Sequence, residues 1–228
     1  MEYLESRLIR QIDAAAVREL GMTGLLLMEN AARGACEVLE SFKPCARIMI
    51  VSGPGNNGGD GLAMARQLAA NGTETDVYLV RAGKSLTDDA QSNLEFLQRS
   101  GITVHEANTE SMQTLLAGLT PDDWIVDALL GTGIRGTLRS PYPEIVEAIN
   151  QSAARVLSVD VPSGLDADTG EPCGVAVRAD VTVTFVATKA GFRFPHALPW
   201  LGRVEVRQIG VPQRWLEAWC ATHRDEAK

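Results

Sequence analysis

The sequence predicts an α/β fold in which helices cover both faces of a mostly parallel sheet. Short apolar runs alternate with helical stretches along most of the chain, the rhythm of parallel strands joined by helical crossovers. Runs such as Ile48-Met49-Ile50-Val51 are apolar at every position, which suits a central strand and not a half-exposed hairpin. That run breaks into Gly53-Pro54-Gly55-Asn56-Asn57-Gly58-Gly59-Asp60-Gly61 before a helical pattern takes over. Strand, glycine loop and helix in succession place backbone N–H groups and a helix N-terminus beside a phosphate.

The elements follow in order. The first 45 residues read as helix: Leu8, Ile9, Ile12, Ala16, Val17 and Leu20 recur at helical spacing, and after the Gly21-Met22-Thr23-Gly24 break a second helical pattern runs from Leu25 to about Phe42. Strands are expected over 47–52, 76–81, 102–105, 124–129, 156–161 and 181–186, and helices over 61–70, 87–99, 112–117 and 142–151. After Gly170 helical patterns give way to short runs, including 204–209, between loops rich in Gly and Pro. A last helix carries Trp215 and Trp219 at i,i+4 spacing, where they anchor it. Residues from His223 to Lys228 are expected to fray. No repeat or linker interrupts the chain, so 1–228 reads as one domain.

Composition narrows the function. The chain has 228 residues, enough for a sizeable core, and 21 basic against 29 acidic side chains give a net charge of −8. That balance disfavours broad binding to nucleic acid or anionic membranes. There is no apolar stretch of about eighteen residues to span a bilayer. The start, Met1-Glu2-Tyr3-Leu4-Glu5, is acidic and does not read as a signal peptide. Cys36, Cys45, Cys173 and Cys220 form no Cys-x-x-Cys pair, so reduced structural thiols in a reducing, cytoplasmic compartment are expected. His105, His196 and His223 are scattered and suggest no zinc site.

In open parallel sheets ligands bind beyond the carboxyl ends of the strands. The loops 53–61, 131–137 and 162–166 each follow an expected strand, so all three should meet at one crevice. Gly53-Pro54-Gly55-Asn56-Asn57-Gly58 satisfies G-x-G-x-x-G. The dinucleotide fingerprint, however, expects an acidic residue at the end of the next strand, and here that strand ends in Arg81. An ordinary nicotinamide dehydrogenase therefore loses support, and Arg81 reads as solvated. The asparagines can serve left-handed turn positions, but two followed by Gly-Gly-Asp exceed what a turn needs. Asp127, late in an apolar strand, is either a buried hydrogen-bonded carboxylate or helix cap, or a ligand to a cation. Gly131-Thr132-Gly133-Ile134-Arg135-Gly136-Thr137 offers backbone donors and one arginine to a diphosphate. Asp160-Val161-Pro162-Ser163-Gly164 repeats the arrangement of a strand-end aspartate before a loop. Ser163 lacks a nucleophile's surroundings and reads as an oxygen ligand or donor. Asn57, Asp127 and Ser163 are hard oxygen donors with one negative charge, a set for a weakly bound hard cation.

These motifs, in this order, resemble the NAD(P)H-hydrate epimerase family, the YjeF N-terminal domain. Val126-Asp127-Ala128-Leu129-Leu130-Gly131-Thr132-Gly133, Asp160-Val161-Pro162-Ser163-Gly164-Leu165-Asp166, Thr184-Phe185 with Lys189-Ala190-Gly191, Met28-Glu29-Asn30-Ala31-Ala32 and Gly210-Val211-Pro212 join the first glycine loop in the match. The resemblance covers roughly Arg10 to Pro212. It implies a Rossmann-like three-layer α/β/α sandwich, usually a homodimer, that interconverts the R and S epimers of hydrated NADH and NADPH (NADHX and NADPHX). A separate NAD(P)H-hydrate dehydratase then restores the S form. It also implies one K+ per subunit, with Asn57, Asp127 and Ser163 as ligands. Substrate contacts carried over by motif are Asn56, Asn57, Gly58, Gly59 and Asp60, then Gly131, Thr132, Gly133, Ile134, Arg135, Gly136 and Thr137, with Tyr142 and Asp160. Many bacterial members of the family are fused to a C-terminal dehydratase domain. This chain stops soon after the epimerase segment, which leaves open a stand-alone enzyme or a piece of a longer protein.

The hydrated ring carbon bears both a hydroxyl and the ring nitrogen. Loss and re-addition of water, or ring opening and reclosure, would invert it, and either route needs a positioned acid and base. Asp160 is the candidate, as a desolvated carboxyl at a buried strand end; the alternative is that it only hydrogen-bonds the ribose or amide. Lys189 reads as a solvated or loop-pairing lysine. The competing class is a non-catalytic nucleotide-binding or protein-interaction module on the same fold. Intact Asn57, Asp60, Asp127, Asp160 and Ser163 favour the enzyme.

Overall fold

The computed structural model describes residues 3–44 and 46–223. Met1, Glu2, Cys45 and the tail beyond His223 lie outside them, and so do the expectations placed on those residues. In chain order the elements are β1 (Tyr3–Leu4), α1 (Ser6–Leu20), α2 (Gly24–Ser41), β2 (Ile48–Ser52), α3 (Asn56–Ala70), β3 (Asp76–Leu79), α4 (Asp88–Arg99), β4 (Val104–Glu106) and α5 (Thr109–Ala117). They continue with β5 (Trp124–Ala128), α6 (Tyr142–Gln151), β6 (Arg155–Val159), β7 (Val181–Phe185), β8 (Thr188–Lys189), α7 (Leu198–Leu201), β9 (Arg203–Arg207) and α8 (Gln213–His223).

Seven strands form one sheet in the order β4-β3-β2-β5-β6-β7-β9, and every neighbouring pair is parallel. Alternate residues of β2 explain the layers. Ile48 and Ile50 pack into a core shared with α1, α2, α3, α4 and α8, while Met49 and Val51 pack with α5 and α6. A strand apolar at every position is thus covered on both faces, giving an α/β/α sandwich. The strand order reverses between β2 and β5, which is where an open sheet of this type leaves its crevice.

Local chemistry sets the helix ends. Thr23 caps α2 by accepting from the Leu26 N–H at 3.1 Å, and Asn108 and Ser111 form a capping box on α5. Gly21 ends α1 at φ 69°, a left-handed position suited to glycine. On α1, Leu8, Ile9, Ile12 and Ala16 are buried as their spacing predicts, but Val17 and Leu20 are exposed. On α8, Trp219 is buried and stacks on His223 with ring centroids 4.1 Å apart. His223 therefore closes the helix instead of fraying.

Two local expectations need correction. Tyr3 and Leu4 are not helical; they pair in parallel with Thr188 and Lys189 in a separate two-stranded sheet. In addition, α3 begins at Asn56, inside the segment expected to be a loop. Its glycines serve close approach, not turn flexibility. A Cβ on Gly58 would overlap the Gly53 carbonyl oxygen, and one on Gly61 would strike Ala128 Cβ and Ser52 Oγ. Helix α3 can lie this close to the strands only without those side chains.

Gly58→Ala should therefore destabilise the fold by more than about 2 kcal/mol in urea unfolding. The overlap with backbone outweighs the ~1 kcal/mol that alanine gains in helix propensity. Gly55→Ala, with open space around its Cβ position, should change stability by less than ~1 kcal/mol.

Candidate active site

The loops after β2, β5 and β6 are tied together at their bases. Asn57 Nδ2 donates to the Leu130 carbonyl at 2.9 Å, Leu130 N–H donates to Ser163 Oγ at 2.8 Å, and Ser163 Oγ donates to Asp127 Oδ1 at 2.5 Å. Asp127 also accepts from the Ser163 N–H at 2.9 Å, Ser158 Oγ at 2.8 Å and the Leu129 N–H at 3.3 Å. It is fully buried. Burial pushes its carboxyl up, and the hydrogen bonds from Ser163, Ser158 and Leu129 oppose that. Asn57 Oδ1, by contrast, is buried with no hydrogen-bond partner. A buried amide oxygen beside a hydroxyl, a carboxylate and the Leu130 carbonyl is a donor set that fits a monovalent hard cation.

Above this base lies a cleft of about 1360 Å3. Asn56, Asn57, Asp60, all seven residues from Gly131 to Thr137, Tyr142 and Asp160 line it, and so do Asp13 on α1 and Lys84. Gly58 and Gly59 do not line it and are buried between α3 and its neighbours. Asp127 and Ser163 lie beneath it. The N-terminus of α3, fifteen residues long, points its first N–H groups and its dipole at this space. Arg135 spends its guanidinium on the protein: it pairs with Asp168 at 2.8 Å and donates to Ser6 Oγ at 3.1 Å, bracing the glycine loop against the start of α1. Tyr142 carries a buried hydroxyl without a partner.

Of the two roles expected for Lys189, solvated or loop-pairing, the structure shows the pairing one. The side chain is fully buried, and its Nζ sits 2.6 Å from Asp160 Oδ1. A solvated role is excluded, because a buried ammonium needs a paired carboxylate. Asp160 is not itself the most desolvated acid; its side chain is 18% exposed. Its backbone is nevertheless unusual. At φ 65° it occupies the left-handed region, and Val186, at the end of the adjacent strand, has φ 67°. Non-glycine residues held there signal a constraint imposed by the surroundings.

Asp13 and Asp60 complete the cluster. Burial pushes the Asp13 carboxyl up to about 6, with Asp160 adding to the rise and Lys189 opposing it. Asp60 is raised well above the usual carboxylate range, first by burial, then by Asp160 and Asp13. Three acids thus surround one ammonium. Asp13 does not stand out in the sequence, and Lys189 does so only within the Lys189-Ala190-Gly191 motif. Asp13 falls on the polar side of an amphipathic helix, where an aspartate is ordinary, and a lone lysine after a strand is usually solvated. The signal for the burial of Lys189 was the apolar chain that encloses it, Thr184 to Phe192.

A parallel sheet with a helix N-terminus at its reversal point and a long cleft above it defines a Rossmann-like protein with room for a dinucleotide. The YjeF-related protein N-terminus family matches residues 24–191, and the chain belongs to that family. It is 42% identical to an NAD(P)H-hydrate epimerase of Pirellula staleyi, across 93% of this chain and 94% of the relative. It is 41% identical to one of Rhodopirellula baltica, across 90% and 82%. A bifunctional NAD(P)H-hydrate repair enzyme of Thermofilum pendens is 40% identical, and the match spans 40% of its length. Among solved structures, the yeast protein ynu0 (YNL200c) superposes with a TM-score of 0.74 at 26% identity, over 84% of this chain and 83% of that one.

Two stability predictions follow from the cluster. A carboxyl raised to about 6 when folded costs stability once ionised. Asp13→Asn should therefore stabilise the apo protein by on the order of 1–3 kcal/mol at pH 7.5. The gain should shrink as pH falls through 6 and vanish below about pH 4. Lys189→Met leaves three acids without their cation and should cost about 3–5 kcal/mol at pH 8. Lowering the pH to 5 should return part of that loss. Urea melts across pH check both.

Proposed function

We propose that the chain is an epimerase that interconverts the R and S forms of hydrated NADH and NADPH. The observation that carries this over a non-catalytic module is the Asp160–Lys189 pair. A fully buried lysine holding a carboxylate at 2.6 Å, on a left-handed backbone inside the cleft, is costly to maintain. A surface used only for docking has no need of it.

The cleft divides by chemistry. The α3 N-terminus and the 131–137 loop present N–H groups suited to the diphosphate. The Asp160 end presents acids suited to the hydrated ring. There the C–O bond breaks as the hydroxyl gains a proton, and the ring nitrogen's lone pair stabilises the cation. Water then adds to the opposite face. Asp160, paired with Lys189 Nζ at 2.6 Å, is placed to handle the proton of the leaving or entering water. A potassium ion would be held by Asn57, Ser163 and Asp127, where it would offset diphosphate charge and order the three loops.

Further readings rest on less. A homodimer would cover the exposed Val17, Leu20 and Leu26 at the α1–α2 junction. A dehydratase acting on the S epimer would be the functional partner. The buried thiols of Cys36 and Cys173 suit a reducing, cytoplasmic compartment. No helix among the described residues is long and apolar enough to cross a membrane.

Purified R-NADPHX incubated with the protein in potassium buffer, followed by NMR against a protein-free control, should reach the R/S mixture faster with protein. No acceleration by folded protein that still binds nucleotide would favour the non-catalytic module. Asp160→Asn should lower turnover by about 10²–10⁴-fold with nucleotide affinity largely retained. Exchanging potassium for tetramethylammonium, or Asn57→Ala, should weaken substrate binding; unchanged affinity would count against the cation.

A further inference from the structure

We infer that Asp13 is a second catalytic residue, the carboxyl that exchanges a proton with the substrate hydroxyl while Asp160 acts as its carboxylate counterpart. The inference rests on the epimerase reading and extends it to a helix outside the glycine-loop motifs.

Inversion through loss and re-addition of water needs two proton-handling groups. One protonates the hydroxyl as the C–O electron pair departs with it, forming water and an iminium ring. The other takes a proton from the water that adds to the opposite face. Atoms and charge balance, and the two groups trade roles in the reverse direction. Two carboxyls in unlike surroundings are the usual way to divide such work.

The structure supplies that pair from separate layers. Asp160 closes β6 and is bound to Lys189 Nζ. Asp13 comes from α1, lines the same cleft, and lies within electrostatic reach of both Asp160 and Lys189. Its Oδ1 is buried without a hydrogen-bond partner, so an oxygen able to hold a proton is left with nothing in the protein to receive it. The charged groups facing it are Asp160 from the β6 end, Lys189 from β8 and Asp60 from α3, with Arg10 one turn back on α1. Lys189 is committed to Asp160 and only partly offsets the rise at Asp13, whose carboxyl is pushed up to about 6. Burial raises the Asp60 carboxyl well above the usual carboxylate range, with Asp160 and Asp13 adding to the rise.

The test compares wild type, Asp13→Asn and Asp13→Glu by NMR epimerisation of R-NADPHX from pH 5 to 9, with NADP+ affinity measured beside it. The wild type should show kcat/KM falling as pH rises through about 6. Asp13→Asn should lose at least about 100-fold in kcat, lose that limb, and keep its NADP+ affinity within about threefold. Asp13→Glu should retain measurable turnover with the limb displaced, and it decides the matter if the Asn variant fails to fold. An Asn variant as active as wild type, an unmoved limb in the Glu variant, or affinity lost in step with rate would overturn the role of Asp13. An inactive wild type would overturn the epimerase reading itself and the inference with it.

Discussion

The pairing of the fully buried Lys189 with Asp160 organises more of this protein than any other contact. An ammonium with no exposure to water holds only if a carboxylate stands against it, so the end of β6 and the strand β8 must meet. Strand β8 in turn pairs with β1, with Leu4 opposite Lys189. That pairing fixes where α1 starts, and α1 carries Asp13 over the carboxyl end of the sheet. The N-terminal segment, which a Rossmann-like sheet does not require, thereby becomes a wall of the cleft. Arg135 reinforces it through Ser6 and Asp168.

Close packing supports the other side of the site. Gly58 and Gly61 let α3 sit against the Gly53 carbonyl and against Ala128, so its N-terminus reaches the reversal point between β2 and β5. Asn57 is then within reach of the Leu130 carbonyl, and Ser163 joins Leu130 to Asp127. One set of short hydrogen bonds sets the relative height of three loops. The anion-binding end and the acid-bearing end of the cleft are held in one frame.

The architecture was legible because buried parallel strands and amphipathic helices have different periods, and the chain alternates between them without long insertions. The strand-end aspartates were legible because a carboxylate closing an apolar run is expensive unless it has a task. The start of α3 was misplaced because glycine is written the same way whether it frees a turn or clears space for a neighbouring backbone. Asp13, and the full burial of Lys189, were hidden for a different reason. Each residue sits in a pattern where its type is commonplace, and the long-range pairing of β1 with β8 brings both to Asp160. The pairing of Arg135 with Asp168 was not legible either, because it joins two loops far apart in the chain.

Asp13, Asp60 and Asp160 gather around one ammonium, and burial raises the carboxyls of Asp13 and Asp60. Carbon-13 NMR of the aspartate carboxyls across pH, with Asp13 assigned by its loss in Asp13→Asn, tests that directly. The Asp13 resonance should titrate at about pH 6. Titration near the ordinary aspartate value of about 3.9 would contradict it, because the cleft would then have no Asp13 proton to offer a leaving hydroxyl near neutrality.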